Sequence, residues 1–151
     1  MLKKIFERVI IPETAFQEVV IKGEEKGYLH VKLIKRATQE WIEVKTLQEE
    51  QKKESDLMAK MAPLGRVEAE SIVLAKDMKT PLLIDDLIGQ RVAKSYGIET
   101  YWTTSVFLKT WKENIVSKDK TKKIIEDLIE SGLRIKPEVV IELMKKLSRK
   151  Y

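Results

Sequence analysis

Short apolar runs rich in β-branched residues recur along this chain, and the segments between them have helical spacing. Val9–Ile11, Pro81–Ile84 and Ile98–Trp102 have the character of strands. Leu87–Tyr96 places apolar side chains near one face of a helix and is followed by Gly97, a common helix terminator. Strands that alternate with helices favour a parallel sheet. The sequence therefore predicts an α/β fold in which these three strands run in parallel.

The length and the residue types narrow the functional classes. A chain of 151 residues fits one domain, and its four Pro and six Gly are too scattered to form a linker. Without Cys and with a single His, it offers no disulfide, no catalytic thiol and no Cys-based zinc site. No apolar run approaches the roughly 20 residues that span a bilayer, and Met1–Pro12 lacks a signal-peptide pattern. We therefore expect a single cytoplasmic domain over residues 1–151, with no membrane association.

The charge is positive overall and unevenly distributed. The sequence has 29 basic and 24 acidic residues, and residues 101–151 alone carry 12 basic against seven acidic side chains. This balance is compatible with nucleic-acid binding. Lys accounts for 23 of the basic residues and Glu for 18 of the acidic ones, and Asn occurs once. That composition is typical of hyperthermophile proteins and predicts a thermophilic source.

Asp85 and Asp86 are candidate ligands because of their position in the chain. They follow the apolar run Pro81–Ile84 and precede a helix, and ligands of open parallel sheets bind beyond the carboxyl ends of the strands. The alternative is structural, since Asp is a favoured N-cap residue. Two adjacent Asp exceed what one cap requires, so both interpretations stay open.

Three glutamates are further candidates. Glu68 and Glu70 open the helix before this strand, where acidic residues are favoured in any case. Residues two apart lie about 200° apart around a helix, so at most one of the pair is expected to be a direct ligand. Glu18 lies late in the helix Thr14–Lys22 and, taken alone, is a solvated helix acid. Sites built only from oxygen ligands suit Mg²⁺ or Mn²⁺.

Segments in a fixed order resemble the PIN-domain family, and most closely its compact prokaryotic branch akin to VapC-type toxins. The segments are Val9–Val19, Glu68–Ala75, Leu82–Asp86 with Arg91–Ala93, and a tail with Thr103, Thr104, Leu108–Lys112 and Ile129–Pro137. The resemblance covers nearly the whole chain. It implies a three-layer α/β/α sandwich with a central parallel sheet.

The resemblance also implies an activity and a site. Many PIN domains are ribonucleases that depend on Mg²⁺ or Mn²⁺, in which the metal polarises the scissile phosphate and activates a water. By this likeness Glu18, Glu68 and Asp86 are the catalytic metal ligands. Asp85 or Glu70 positions the water or a second metal ion. RNA is then the expected partner. In toxin-like members, a small antitoxin blocks the site.

The chain departs from the family pattern at its N-terminus. Met1–Phe6 resembles the first helix of the family, so the preceding apolar strand and its Asp are absent from this sequence. That strand is normally central to the sheet. A late start codon, a fold without the strand, and a strand from another chain are three explanations that the sequence leaves open. Unpaired sheet edges favour pairing with another chain, which predicts a homo-oligomer.

Two functions follow. The first is a metal-dependent endoribonuclease, with the carboxylates holding the metal and Lys and Arg contacting the RNA backbone. The second is a catalytically silent PIN-like module that binds RNA or a protein, which the absent first Asp favours.

Overall fold

The structure is a computed structural model that describes residues 2–28, 31–130, 140–141, 144–145 and 147. Along the described chain the elements are α1 (Leu2–Ile5), β1 (Val9–Pro12), α2 (Glu13–Glu25), α3 (Val31–Glu40), β2 (Ile42–Lys45), α4 (Glu49–Met61), α5 (Arg66–Met78), β3 (Leu82–Leu83), α6 (Leu87–Ser95), β4 (Thr100–Tyr101), α7 (Thr103–Lys112) and α8 (Lys118–Glu130). The fold class is α/β with short parallel strands, as the sequence predicts, and is consistent with an α/β/α arrangement. Most of the tail segment Ile129–Pro137 lies outside the described residues.

The chain divides into two compact units. The larger unit is Phe6–Tyr101, and the smaller one combines Met1–Ile5 with Trp102–Tyr151. The expectation of a single domain over residues 1–151 stays a prediction.

The first two strands of the larger unit form a parallel pair. β1 aligns with β2 from Val9 opposite Ile42 to Pro12 opposite Lys45. The β-branched residues of β1 and the alternating sequence of β2 suit an extended, half-buried backbone. α2 and α3 form the connection that a parallel pair requires.

The other two strands also pair in parallel. Leu82 lies opposite Thr100 and Leu83 opposite Tyr101, and α6 connects the two strands. The turn after α6 contains Gly97 at a φ of 74°, a left-handed conformation that glycine adopts without strain. The predicted end of this helix is therefore confirmed. Both strands are shorter than the apolar runs that predicted them.

The prediction that three strands share one sheet is corrected in one respect. Within the described residues, β1–β2 and β3–β4 are separate two-stranded ladders. In a parallel ladder, every second residue of a strand directs its backbone N–H and C=O groups to the strand on one side. The residues between them direct theirs to the other side. The Val9 N–H donates to Trp41 O at 3.2 Å and the Leu82 N–H to Glu99 O at 2.8 Å. Ile10 and Leu83 therefore direct their backbone groups to the opposite edges, and no described strand pairs with those edges.

α5 is the central helix of the larger unit. It contacts β1 and β3 and packs against α2, α4 and α6. The core around it is formed by buried apolar residues, namely Leu47, Met58, Ala69, Ile72, Val73, Leu74, Ala75, Ala93 and Ile98. At the α4–α5 contact, Lys76 donates to Glu54, which raises the pKa of the lysine, and the Gln51 amide donates to Asp77 at 2.7 Å. Small residues such as Ala69 and Ala75 permit this close helix packing.

The smaller unit has its own apolar cluster. Phe107 on α7, Ile125 on α8 and Leu147 are buried together, and Trp111 packs against them. Thr110 is fully buried, and its hydroxyl donates to Phe107 O at 2.7 Å, which satisfies the polar group. None of the helices in the described part of the chain is long and apolar enough to cross a bilayer.

Candidate functional site

The carboxyl ends of β1 and β2 lead into a polar region. α2 begins with Glu13 directly after β1, and Thr46 directly follows β2. The Thr46 hydroxyl donates to Glu13 Oε2 at 2.7 Å, which links the two strand ends. Ligands of parallel sheets bind beyond the carboxyl ends of the strands, so this region is the candidate site.

Glu70 is the buried acid of this region. It lies in the second turn of α5 and is only 3% exposed. The Thr14 hydroxyl donates to its Oε2 at 2.5 Å, and Arg66 Nε donates to its Oε1 at 2.8 Å. A buried carboxylate is costly unless it is paired and hydrogen-bonded, and both conditions are met here. The contact therefore fixes the first turn of α2 against the first two turns of α5.

Arg66 lies at the surface beside this buried acid. Its side chain is 68% exposed, while that of its partner Glu70 is 4% exposed. The hydrogen bond and the charge of Glu70 raise the pKa of Arg66, and the charge of Asp56 adds to the effect. The guanidinium is therefore permanently positive, and its Nε hydrogen bond to the buried Glu70 sets its orientation.

A surface pocket of about 370 Å³ lies between α2 and the start of α5. Polar groups, two cations and two aliphatic side chains line it: Thr14, Gln17, Glu18, Ile21, Lys22, Arg66 and Val67. Of the five residues predicted for the site, only Glu18 is among these lining residues. Its carboxylate is exposed and accepts a hydrogen bond from Lys22 Nζ at 2.9 Å.

Glu68 lies in the first turn of α5, directly before the buried residues of this helix. A Cβ built on Gly65, the N-cap of α5, would lie 2.2 Å from Glu68 Oε2, so this carboxylate folds back over the start of its own helix. A negative charge there interacts favourably with the helix dipole. Glu68 and Glu70 point in different directions, as the helical spacing predicts.

Asp85 and Asp86 lie elsewhere in the unit, between β3 and α6. Asp86 is the N-cap of α6, and its Oδ2 accepts a hydrogen bond from the Gly89 N–H at 2.5 Å. The structural interpretation of this residue is therefore confirmed. Asp85 is exposed. Neither aspartate lines the pocket that Glu18 borders.

The predicted convergence of Glu18, Glu68 and Asp86 on one metal is not seen. In residues 2–28 and 31–130 and the few described beyond them, no three His, Asp or Glu side chains form a group that could hold a metal ion. The physical reasons are local, because Glu18 is paired with Lys22, Glu68 folds over Gly65 and Asp86 caps α6. As arranged, these carboxylates do not fit a complete Mg²⁺ or Mn²⁺ site. Their assignment as ligands stays a prediction.

Sequence reasoning missed Thr14 and Arg66. Arg66 and Glu70 are four residues apart on a helix, a spacing that indicates an ion pair. That spacing is common on solvated helix faces, so it did not reveal that Glu70 is buried. Thr14 gives no signal of its own, because its partner lies 56 residues away.

We expect Glu70→Gln to destabilise the fold far more than Glu18→Gln. The first change weakens a buried charge-assisted network and should lower the free energy of unfolding by about 1–3 kcal/mol. The second removes an exposed i,i+4 pair, which contributes about 0.3–0.5 kcal/mol. Urea unfolding of both variants measures the difference. Equal effects would contradict the structural role assigned to Glu70.

Comparison with known proteins identifies the fold family. A family model described as a PIN domain matches residues 1–149. No curated protein and no solved structure matches the chain. PIN domains are usually nucleases and typically use divalent metals. With 149 of its 151 residues inside that match, the chain belongs to the PIN-domain family.

Proposed function

We propose that this protein is a metal-dependent endoribonuclease that hydrolyses RNA phosphodiester bonds. The observation that carries the proposal is the α2–α5 junction at the carboxyl end of β1. There Glu18 borders a pocket with Arg66, and Glu68 lies on the first turn of the same helix as Arg66. Mg²⁺ or Mn²⁺, when bound, supplies charge neutralisation and water activation.

The chain's own residues contribute charge and position. Arg66 and Lys22 place two cations on the pocket wall, where the phosphates of an RNA strand would bind. Glu18, Glu68 and Asp86 are the proposed metal ligands, with Asp85 beside Asp86. Because these carboxylates do not converge in the described residues, no catalytic step is assigned to them.

A second candidate function rests on that same arrangement. A PIN-like module that binds RNA or a protein without cleaving it needs no metal-holding group, and none is found among the described residues. The two functions share the cationic pocket wall. They differ in whether bound RNA is cleaved when a divalent metal is present.

Metal-dependent cleavage separates the two functions. We expect labelled RNA to be cleaved in Mn²⁺ and to stay intact in EDTA. Asp86→Asn is the sharpest variant, because Asn also caps helices and keeps the fold while removing the charge. It should lower cleavage by more than the roughly 10–100-fold that loss of an outer-shell partner costs. Glu25→Gln, an exposed acid at the end of α2, is the control.

RNA that is bound but never cleaved, at any Mn²⁺ concentration, would support the silent module and contradict the nuclease. If Asp86→Asn and Glu25→Gln lower the rate of RNA cleavage equally, a specific role for Asp86 is contradicted.

The proposal includes a role as the toxin of a toxin–antitoxin pair, with a small antitoxin protein as partner. Production of the active protein in a bacterial host should then arrest growth, because cleavage of cellular RNA stops translation. Asp86→Asn should relieve the arrest at equal protein levels. Growth curves with matched immunoblots measure this, and arrest that persists in the variant would contradict a toxin that acts by cleavage.

We also propose that the protein self-associates through an open strand edge. Backbone groups of Ile10 and Leu83 face edges on which no described strand pairs, and the Leu83 side chain is 41% exposed. A second copy would bury this apolar surface at about 25 cal/mol per Å². Sedimentation velocity at micromolar concentration should show a dimer or larger species. Leu83→Lys should shift it to monomer, because charged side chains protect sheet edges.

Leu57→Lys is the matched control, since Leu57 is 58% exposed and belongs to helix α4 rather than to a strand. A monomer in the unsubstituted protein would contradict the proposal.

A further inference from the structure

The contact between Arg66 and Glu70 leaves part of the arginine without an internal partner. Only Nε is bonded to Glu70, at 2.8 Å. Within the described residues, the Nη1 and Nη2 amino groups have no hydrogen-bond partner, and the side chain is largely exposed on the pocket wall. A guanidinium presents five donors in a rigid fork. The buried carboxylate therefore holds one edge of the fork and leaves the other free for a ligand.

We propose that Arg66 binds a phosphodiester group of single-stranded RNA in the pocket between α2 and α5, and that Glu70 is a positioning residue for Arg66 rather than a metal ligand. The inference rests on the proposed action on RNA and names the contact that recognises it. It assigns Arg66 and Glu70 roles that the family resemblance does not give them.

The chemistry of the pocket favours an anion. Its wall carries two cations, Arg66 and Lys22, against one acid, Glu18, and because Lys22 pairs with Glu18, the excess positive charge is that of Arg66. The planar guanidinium fork matches two phosphate oxygens at once. Thr14 and Gln17 add polar groups, and the aliphatic side chains of Ile21 and Val67 offer a surface for a ribose or base. A phosphate with its attached nucleoside suits this mixture better than a free metal cation.

The contacts of Glu70 argue against direct metal binding. Both of its oxygens already accept hydrogen bonds, from Thr14 and from Arg66, and its side chain is almost fully buried. Because its side chain is only 4% exposed, a metal ion could reach the remaining lone pairs only if neighbouring groups moved, and it would then lie beside the guanidinium. Like charges at such a distance repel. Glu70 therefore acts through Arg66.

The test measures RNA binding in EDTA, where metal-dependent cleavage cannot occur. The probe is a fluorescein-labelled oligouridine followed by fluorescence anisotropy over a salt series. Arg66→Ala should weaken binding about 10-fold, which corresponds to loss of a hydrogen bond to a charged group. It should also reduce the slope of log K against log salt by about 0.7, the value for one phosphate contact on a single strand.

Arg36→Ala is the matched control. Arg36 forms the same pair on α3, with Nε donating to Glu40 four residues on at 2.8 Å, but it does not line the pocket. It should leave affinity and salt slope unchanged. Arg66→Lys guards against misfolding, because it keeps a positive charge beside Glu70 but lacks the fork. We expect it to bind less tightly than the unsubstituted chain.

The outcomes separate this inference from the proposed function. Equal effects of Arg66→Ala and Arg36→Ala would overturn the Arg66 assignment while leaving RNA binding intact. No RNA binding by the unsubstituted protein would overturn both. Inorganic phosphate is the second probe. If it binds in an Arg66-dependent way while RNA does not bind, the site is a phosphate site and the RNA assignment fails.

Glu70→Gln distinguishes positioning from metal ligation. As a positioning residue, Glu70 acts in EDTA, so the variant should weaken RNA binding there and leave the Mn²⁺ concentration for half-maximal cleavage unchanged. Unchanged binding in EDTA together with a raised Mn²⁺ requirement would overturn the inference and make Glu70 a metal ligand. Thermal unfolding confirms that the folded fraction is the same in each assay.

Discussion

The buried carboxylate of Glu70 is the constraint on which the rest of the larger unit depends. An ionised side chain that is 3% exposed persists only when its charge and lone pairs are satisfied. Thr14 and Arg66 supply these partners from two helices, so α2 and α5 must meet at this point. Because α2 begins directly after β1, the same contact fixes the carboxyl end of that strand against the central helix. The contact that satisfies the buried Glu70 therefore lies at the candidate site.

Much of the local structure could be predicted from the sequence. The strand β1 follows from the β-branched run Val9–Ile11, and the end of α6 from Gly97. Each depends on side chains a few residues apart, which periodicity detects. The separation into two ladders could not be predicted from such patterns. It depends on which strand lies next to Ile10 or Leu83, and pairing partners are distant in sequence.

The same distinction applies to the site. The alternative that Asp86 caps a helix was visible in the sequence, because a cap and the N–H that it bonds are three residues apart. That Glu68 and Glu70 point in different directions could be predicted from helix geometry alone. The role of Thr14 was not predictable, because its partner comes from a helix far along the chain. The pair of Arg66 with Glu70 has an i,i+4 spacing that is visible in the sequence, but Arg36 and Glu40 have the same spacing. Only the burial of Glu70 distinguishes the two pairs.

Burial also decides what the two pairs can do. Arg36 and Glu40 are both substantially exposed, so water competes for each, and their hydrogen bond orients neither strongly. Glu70 has no such competitor, so it holds Arg66 in one orientation even though the arginine itself lies in solvent. An arginine ordered in this way has already lost part of its rotamer entropy before a ligand arrives. The buried Glu70 must be paired, and this pairing holds Arg66 as a preorganised cation at the surface of the larger unit. Arg66 therefore suits a phosphate whether or not the neighbouring carboxylates hold a metal.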